Sequence, residues 1–372
     1  MRVRGFWKWL ALAGASLVIL GSCVGCGTLG YYTNSARGHL DLMSRRVAID
    51  ELVQSDALDP ERRQQLVTAQ EVRLYATQRL GLPDNRSYQS YVELGRPFAV
   101  WSVVAAPELS LDPKEWCFPI VGCVSYRGYF DEAKAEAFAA SLREAGYEVF
   151  VGGVQAYSTL GWFADPLLSS MVDRGEVLMA EVVFHELAHQ RLYFAHDTEF
   201  NEAFATVVGE QGVRRWLSES SPEDLHKYED WLRHKDDFIG LLKSTSDQLR
   251  AVYDADLPEA DKRASKAAIY IDLRTRYAEL KQRWGGFAGY DRWFEKPVNN
   301  ARLASVAVYR DLVPEFTRWL ASCDYDFERF YTKMATFKTL EKTARHERLK
   351  QPERCGGAEA SDLTVPKLAD AD

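Results

Sequence analysis

Glu181-Val-Val-Phe-His185-Glu186-Leu-Ala-His189-Gln190 is the stretch on which the reading of this chain turns. Its apolar and small residues suit a helix, and on a helix His185 and His189 stand one turn apart on the same face. That spacing lets both imidazoles reach one zinc ion, with Glu186 projecting beside them. A carboxylate so placed can take a proton from water as it attacks a carbonyl, then pass it to the leaving amine. The bland reading, two unrelated histidines facing core or solvent, is the weaker one. A chance His-Glu-x-x-His seldom falls inside so apolar a helical pattern.

Three side chains on one straight helix cannot converge on one metal, so a third ligand has to come from elsewhere. If the helix continued, His196 would stand roughly 10 Å further along the axis than His189. Asn201-Glu202-Ala-Phe-Ala-Thr-Val-Val208 is the better source, being helical and apolar in pattern. Residues 193–198 leave room for a reversal, and Glu202 on an antiparallel helix can point back at the metal. Glu199 and Glu210 are its rivals. Glu199 falls near the helix start, where a carboxylate complements the helix dipole.

Outward from this stretch the chain changes texture. Of its 372 residues 47% are hydrophobic and 27% charged, enough to bury a sizeable core and too apolar for a wholly disordered chain. Its net charge of −8 and the lack of any basic cluster speak against nucleic acid as a partner. Residues 31–82 read as helical, with a helix opening at Pro60 and stopped by Gly81 and Pro83. From 87 to 129 apolar and β-branched residues alternate, as in Phe98-Ala-Val-Trp-Ser-Val-Val104, which predicts two or three short antiparallel strands. Glu132 to Ala145 is a helix, Glu148-Val-Phe-Val151 a strand, and from Gly175 onward nearly everything is helical. The expected class is α+β, with a small antiparallel sheet in the first half and a predominantly helical second half.

Residues 222–284 carry heptad-spaced apolar residues on both sides of Asp256-Leu-Pro-Glu259, interrupted at Lys235 and Ser246. They form a long helical hairpin, which is either an arm over a cleft or, as such stripes usually are, a packed pair. Ala156, Tyr157 and Ser158 open a segment running to Trp162 that is either a peptide-binding edge or an internal hairpin strand. Tyr309 is a candidate to stabilise an oxyanion, or else a buried structural tyrosine.

Met1 to Ser22 reads as a secretory signal: Arg2, Arg4 and Lys8, then an uncharged run from Trp9 to Leu20, too short to span a bilayer. Leu20-Gly-Ser-Cys23 resembles the bacterial lipoprotein box, with Cys26 a second candidate for lipid attachment. Neither cysteine is followed by Asp, which by that resemblance favours the outer membrane. Export makes a disulfide between Cys117 and Cys123 plausible across the turn at Pro119 and Gly122, and their spacing is not that of zinc ligands. Nothing in the sequence settles how Cys323 and Cys355 pair. The chain thus divides into a signal and anchor at 1–26, an α+β region at 27–172, a helical metal-site region at 173–349, and a polar tail at 350–372 expected to be disordered.

His185-Glu-Leu-Ala-His189 followed by Asn201-Glu202 resembles the gluzincin metallopeptidases, whose third ligand is a Glu in an Asn-Glu helix motif. Zincins that take a third His instead use a Gly turn, and Leu192 and Ala195 stand at the corresponding positions. The chain is also similar to a family of bacterial lipoproteins regarded as aminopeptidases. That similarity rests on Gly30-Tyr-Tyr32, Cys117-Phe-Pro-Ile-Val-Gly-Cys123, Gly152-Gly-Val-Gln-Ala-Tyr-Ser-Thr-Leu-Gly-Trp162, the His-Glu helix, Phe200-Asn-Glu202 and Asn299–Tyr309. It implies a zincin-like helical half and one zinc per chain on His185, His189 and Glu202. It further implies Glu186 as general base, a peptide as substrate, and an exported protein anchored by lipid and facing the periplasm. Two rivals are a zinc amidohydrolase acting on cell-wall peptides and a non-catalytic scaffold lipoprotein; the sequence leaves the oligomeric state open.

The anchor reading is checked by fractionation. Replacing Cys23 or Cys26 singly by Ser is expected to release the protein into the soluble periplasmic fraction at one of the two positions only. Two variants that both stay membrane-bound without lipid would refute it.

Overall fold

Asp59 and Pro60 set the start of the first long helix. The Asp59 carboxylate accepts from the Arg62 amide and Pro60 occupies the first turn, where its missing N–H costs nothing. This helix, Pro60–Leu80, ends at Gly81 with φ 63°, a left-handed cap open to glycine. The computed structural model describes residues 30–56, 58–118, 122–156, 158–159, 161–307 and 311–355. Cys23, Cys26, Tyr157, Tyr309 and tail residues 356–372 lie outside them.

Residues 30–44 are helical (α1), and the expected helical run is then broken by strand β1, Val47–Ala48, before α2, Ile49–Gln54, and α3, Pro60–Leu80. The break has a distant cause. β1 pairs antiparallel with β2, Ser90–Val92, which in turn pairs in parallel with a strand at Leu167–Leu168. Two-residue strands carry no periodicity of their own.

The principal sheet places β3, Val100–Pro107, at its centre. A separate hairpin of β4, Trp116–Phe118, and β5, Gly122–Val124, is closed by a Cys117–Cys123 disulfide. β6, Arg127–Tyr129, then flanks β3 on one side. On the other side, beyond helix α4, Glu132–Glu144, lies β7, Tyr147–Val154, the edge strand of the order β6-β3-β7. All pairings here are antiparallel, with Val103 opposite Val151. Strand side chains alternate between faces. Trp101, Val103 and Ala105 meet Ala135, Ala139 and Leu142 of α4 on one face, while Val104 and Ala106 meet Ala301 on the other. Both faces are covered, which explains why Val103-Val-Ala-Ala106 of β3 is apolar on both sides.

The strand at Leu167–Leu168 is β8; α5, Ser169–Val172, follows it, then α6, Glu176–Arg191, and α7, Thr198–Ser220. The last two lie antiparallel in the main core, with Phe184, Phe200 and Phe204 fully buried. Each such side chain stabilises by about 1.5–3 kcal/mol. Gly212 makes room for this packing: a Cβ there would stand 2.8 Å from Leu80 and 2.9 Å from Phe184.

α8, Pro222–Asp254, and α9, Glu259–Arg283, form the long hairpin. Phe238 meets Tyr277 and His234 meets Trp284, so the two helices run antiparallel with their apolar stripes facing inward. The hairpin is a packed pair fastened to the sheet, where Lys266 reaches Glu148 of β7 and the carbonyl of Glu108. After a turn at α10, Asp291–Phe294, helix α11, Asn300–Ala307, covers the sheet. α12, Val313–Ser322, α13, Phe327–Ala335, and α14, Lys342–Leu349, close the main core. A disulfide joins Cys323 to Cys355. Among the described residues no helix is long and apolar enough to cross a membrane.

The gaps in the α8 stripe have structural occupants. Ser246 is buried and donates to the Leu242 carbonyl. Lys235 turns toward the paired helices, its Nζ 3.1 Å from Glu181 of α6 and 3.1 Å from Glu210 of α7, while Tyr228 donates to Glu181 at 2.6 Å. Removing the ammonium leaves two carboxylates in a site with little access to water. Lys235→Ala is therefore expected to cost about 3–5 kcal/mol in urea unfolding, with much of the loss recovered when Glu181 and Glu210 are also changed to Gln. A loss below about 1 kcal/mol would mean water screens the cluster.

Candidate metal centre

Two helices bring three donors to one point. His185 and His189 project from α6 with their Nε2 atoms 3.1 Å apart. Glu202, on the first turns of α7, places Oε2 3.4 Å from His185 Nε2 and Oε1 3.6 Å from His189 Nε2. Donors around a tetrahedral zinc at ~2.0–2.1 Å stand roughly 3.3 Å from one another, so this spacing fits one such ion. Two imidazoles and a carboxylate are also a donor set that zinc accepts. The rivals are held elsewhere: Glu210 pairs with Lys235, and Glu199 lies 4.0 Å from His346 Nδ1. His196, at φ 62°, abuts Gly122 of the β4–β5 hairpin, where a Cβ would come within 2.6 Å of its Nδ1.

Local structure explains why α7 returns at the right height. The buried Asn201 side chain accepts from the Phe194 amide at 2.8 Å and donates to the Phe194 carbonyl at 2.7 Å, clamping the connection between the helices. Asp197, wholly buried at the head of α7, accepts from the Phe200 amide and is paired with Arg345 and His346 of α14 at 2.9 Å each. Further along, Gly209 lets the helices touch: a Cβ there would sit 3.0 Å from the Glu181 carbonyl and 3.4 Å from His185 Cβ.

Burial shapes the charges. It lowers the His189 pKa to about 4, leaving a neutral imidazole with a lone pair to donate. Burial opposes charge on His185 too, but the hydrogen bond and charge of Glu202 raise its pKa on balance. For Glu202, burial raises the pKa, and the hydrogen bond to His185 with the charge of both histidines brings it below the ordinary value. For Glu186 desolvation outweighs the charge of His185 and a hydrogen bond from Ser158 and, with the charge of Glu202, pushes it up to about 7. Tyr126, between β5 and β6, feels the charges of Glu202 and Glu186, and burial with those charges pushes it up to about 12.

Among the described residues of 156–162, expected as an edge or a hairpin strand, none is in a strand; the edge belongs to β7, which ends at Val154. Ala156 packs against the main core. Ser158 hydrogen-bonds the Glu186 carboxylate and lies 3.4 Å from Asp165 Oδ2, with the buried Tyr88 hydroxyl also at hand. Asp165 is wholly buried and holds this loop, accepting from Thr159 N at 2.9 Å and Thr159 Oγ1 at 2.7 Å. Its own carbonyl accepts from the amide of Tyr88, which sits at φ 64°. Sequence reasoning missed Asn201's clamp, Asp165, Tyr88 and Tyr126. Only Asp165, three residues past the exposed Trp162, carried a signal, as a loop-closing acid.

Residues 30–349 match the model of the family described as "Putative aminopeptidase", and the chain belongs to that family. No curated protein and no solved structure matches the chain.

Asp165→Asn replaces an acceptor-only group by one with a single accepting oxygen, so one of the two Thr159 bonds is lost inside the protein. The expected cost is about 1–3 kcal/mol, together with faster hydrogen exchange in residues 158–165 and an unchanged α6. Exchange as slow as in the wild type would show that Asp165 does not hold the loop.

Proposed function

We propose that this chain is a zinc-dependent peptidase, an aminopeptidase by its family, exported, lipid-anchored through Cys23 or Cys26, and facing the periplasm from the outer membrane. The observation that carries the reading is the convergence of His185, His189 and Glu202 on one point, with the half-buried Glu186 beside them. His185, His189 and Glu202 would hold the metal in a gluzincin-like arrangement. Zinc, when bound there, supplies Lewis acidity and makes water easier to deprotonate.

The chain's own residues do the rest. Glu186, with a pKa near the working pH, takes the proton from the attacking water and returns it to the leaving amine. Ser158 orients that carboxylate. The outer side of β7 offers unpaired backbone groups to an extended peptide, a pairing that would lead the substrate toward Ser158. Tyr157 and Tyr309, outside the described residues, stay candidates from the sequence alone, the first for substrate contact and the second for a hydroxyl to the developing oxyanion. The two disulfides suit an oxidising compartment.

A soluble form starting after Cys26 is expected to carry about one zinc per chain; His189→Ala abolishes uptake, and Glu202→Gln loses most of it, whereas Glu199→Gln and His196→Ala retain it. Glu186→Gln keeps zinc and fold but loses ~10²–10⁴-fold in hydrolysis of a peptide library read by mass spectrometry. Wild-type protein that takes up no zinc would sink the metal site. Zinc-loaded wild type that cleaves nothing, and matches Glu186→Gln in every assay, would decide for a scaffold.

A further inference from the structure

Between the sheet and α11 lies a cavity of about 190 Å³. Its sheet wall is Val104, Phe150 and Val154, with Gly152 and Gly153 at the edge. Its opposite wall is Ala304 and Ser305 of α11. Gly152 helps keep it open, since a Cβ there would stand 2.7 Å from the Phe150 ring. Ser102, Ser125 and Tyr126 line the remainder, and among the described residues no charged side chain does.

Two independent features join this cavity to the metal ligands. Tyr126 lines it, and four residues earlier Gly122 abuts His196 in the connection between the two ligand-bearing helices. Gly152–Val154, at the end of edge strand β7, lead within four residues to Ser158, the hydrogen-bond partner of Glu186. We infer that the cavity receives the substrate side chain flanking the scissile bond and selects an uncharged apolar one of leucine or methionine size. This deepens the peptidase reading and rests on it for the word substrate. An apolar cavity of roughly 150 Å³ holds a benzene ring, so the volume suffices. A charged side chain would lie there without a partner, which is costly.

The test uses the zinc-loaded protein and a peptide library varied around the cleaved bond. In wild type, leucine and methionine are preferred over alanine, lysine and aspartate at one flanking position. Ser305→Phe fills the cavity and lowers the leucine-to-alanine ratio of kcat/KM by about tenfold or more; Val104→Ala enlarges it and shifts preference toward phenylalanine. A second readout needs no turnover. In Glu186→Gln carrying Ser305→Cys, labelling of the new thiol by methyl methanethiosulfonate is slowed severalfold by a leucine peptide and not by its glycine counterpart. An unchanged preference in folded, zinc-loaded Ser305→Phe, or labelling indifferent to the leucine peptide, overturns the assignment. Wild type that cleaves no peptide while labelling is still slowed overturns the peptidase reading and keeps the pocket.

Discussion

The close antiparallel contact of α6 and α7 is the constraint on which the rest of the molecule depends. Two histidines on one helix can supply only two corners of a metal site, so the third must arrive on a second helix at matching height. Gly209 allows the backbones to approach beside His185, and the Asn201 clamp on Phe194 fixes where α7 starts its return. α3 packs behind α6, α12 behind α7, and α8 across both, each holding the pair from a different side. The Asn of the Asn-Glu pair is thus a structural device, while the Glu beside it faces the ligands.

The same contact gathers groups that a protein interior does not favour. His189 is neutral only because desolvation holds it so, and Glu202 keeps its charge through two imidazoles that burial discourages from protonating. Such a cluster, without a cation, weakens the fold that houses it. A cation among these donors offsets that cost, which couples metal affinity to the stability of the helix pair.

Much of this was legible in the sequence, and the reason is periodicity. The His-Glu helix, the reversal to Glu202 and the heptads of α8 and α9 all express themselves through residues one or two turns apart. Glu202 could be ranked first through the Asn-Glu pair, whereas periodicity alone did not separate it from Glu199, three residues away on the same face. The edge strand was misplaced by several residues because Gly152 and Gly153 weaken the strand pattern just where β7 runs. The pairing of β2 with β8 was out of reach, since two residues make no pattern and their partners lie 76 positions away. Tyr126 and Tyr88 read as ordinary aromatics; only the fold brings their hydroxyls toward Glu186.

Lys235 bears on a different question, that of alignment. A heptad stripe is nearly self-similar, so two helices such as α8 and α9 can slide past each other by seven residues and still meet apolar side with apolar side. The same holds for how α8 lies across α6 and α7. A single ammonium that finds carboxylates only where Glu181 and Glu210 converge breaks this degeneracy. In any shifted alignment it would face hydrocarbon, and both acids would be stranded. The one charged interruption of the stripe therefore acts as a key that admits a single seating of the hairpin, and with it a single orientation of the helix that carries both histidines.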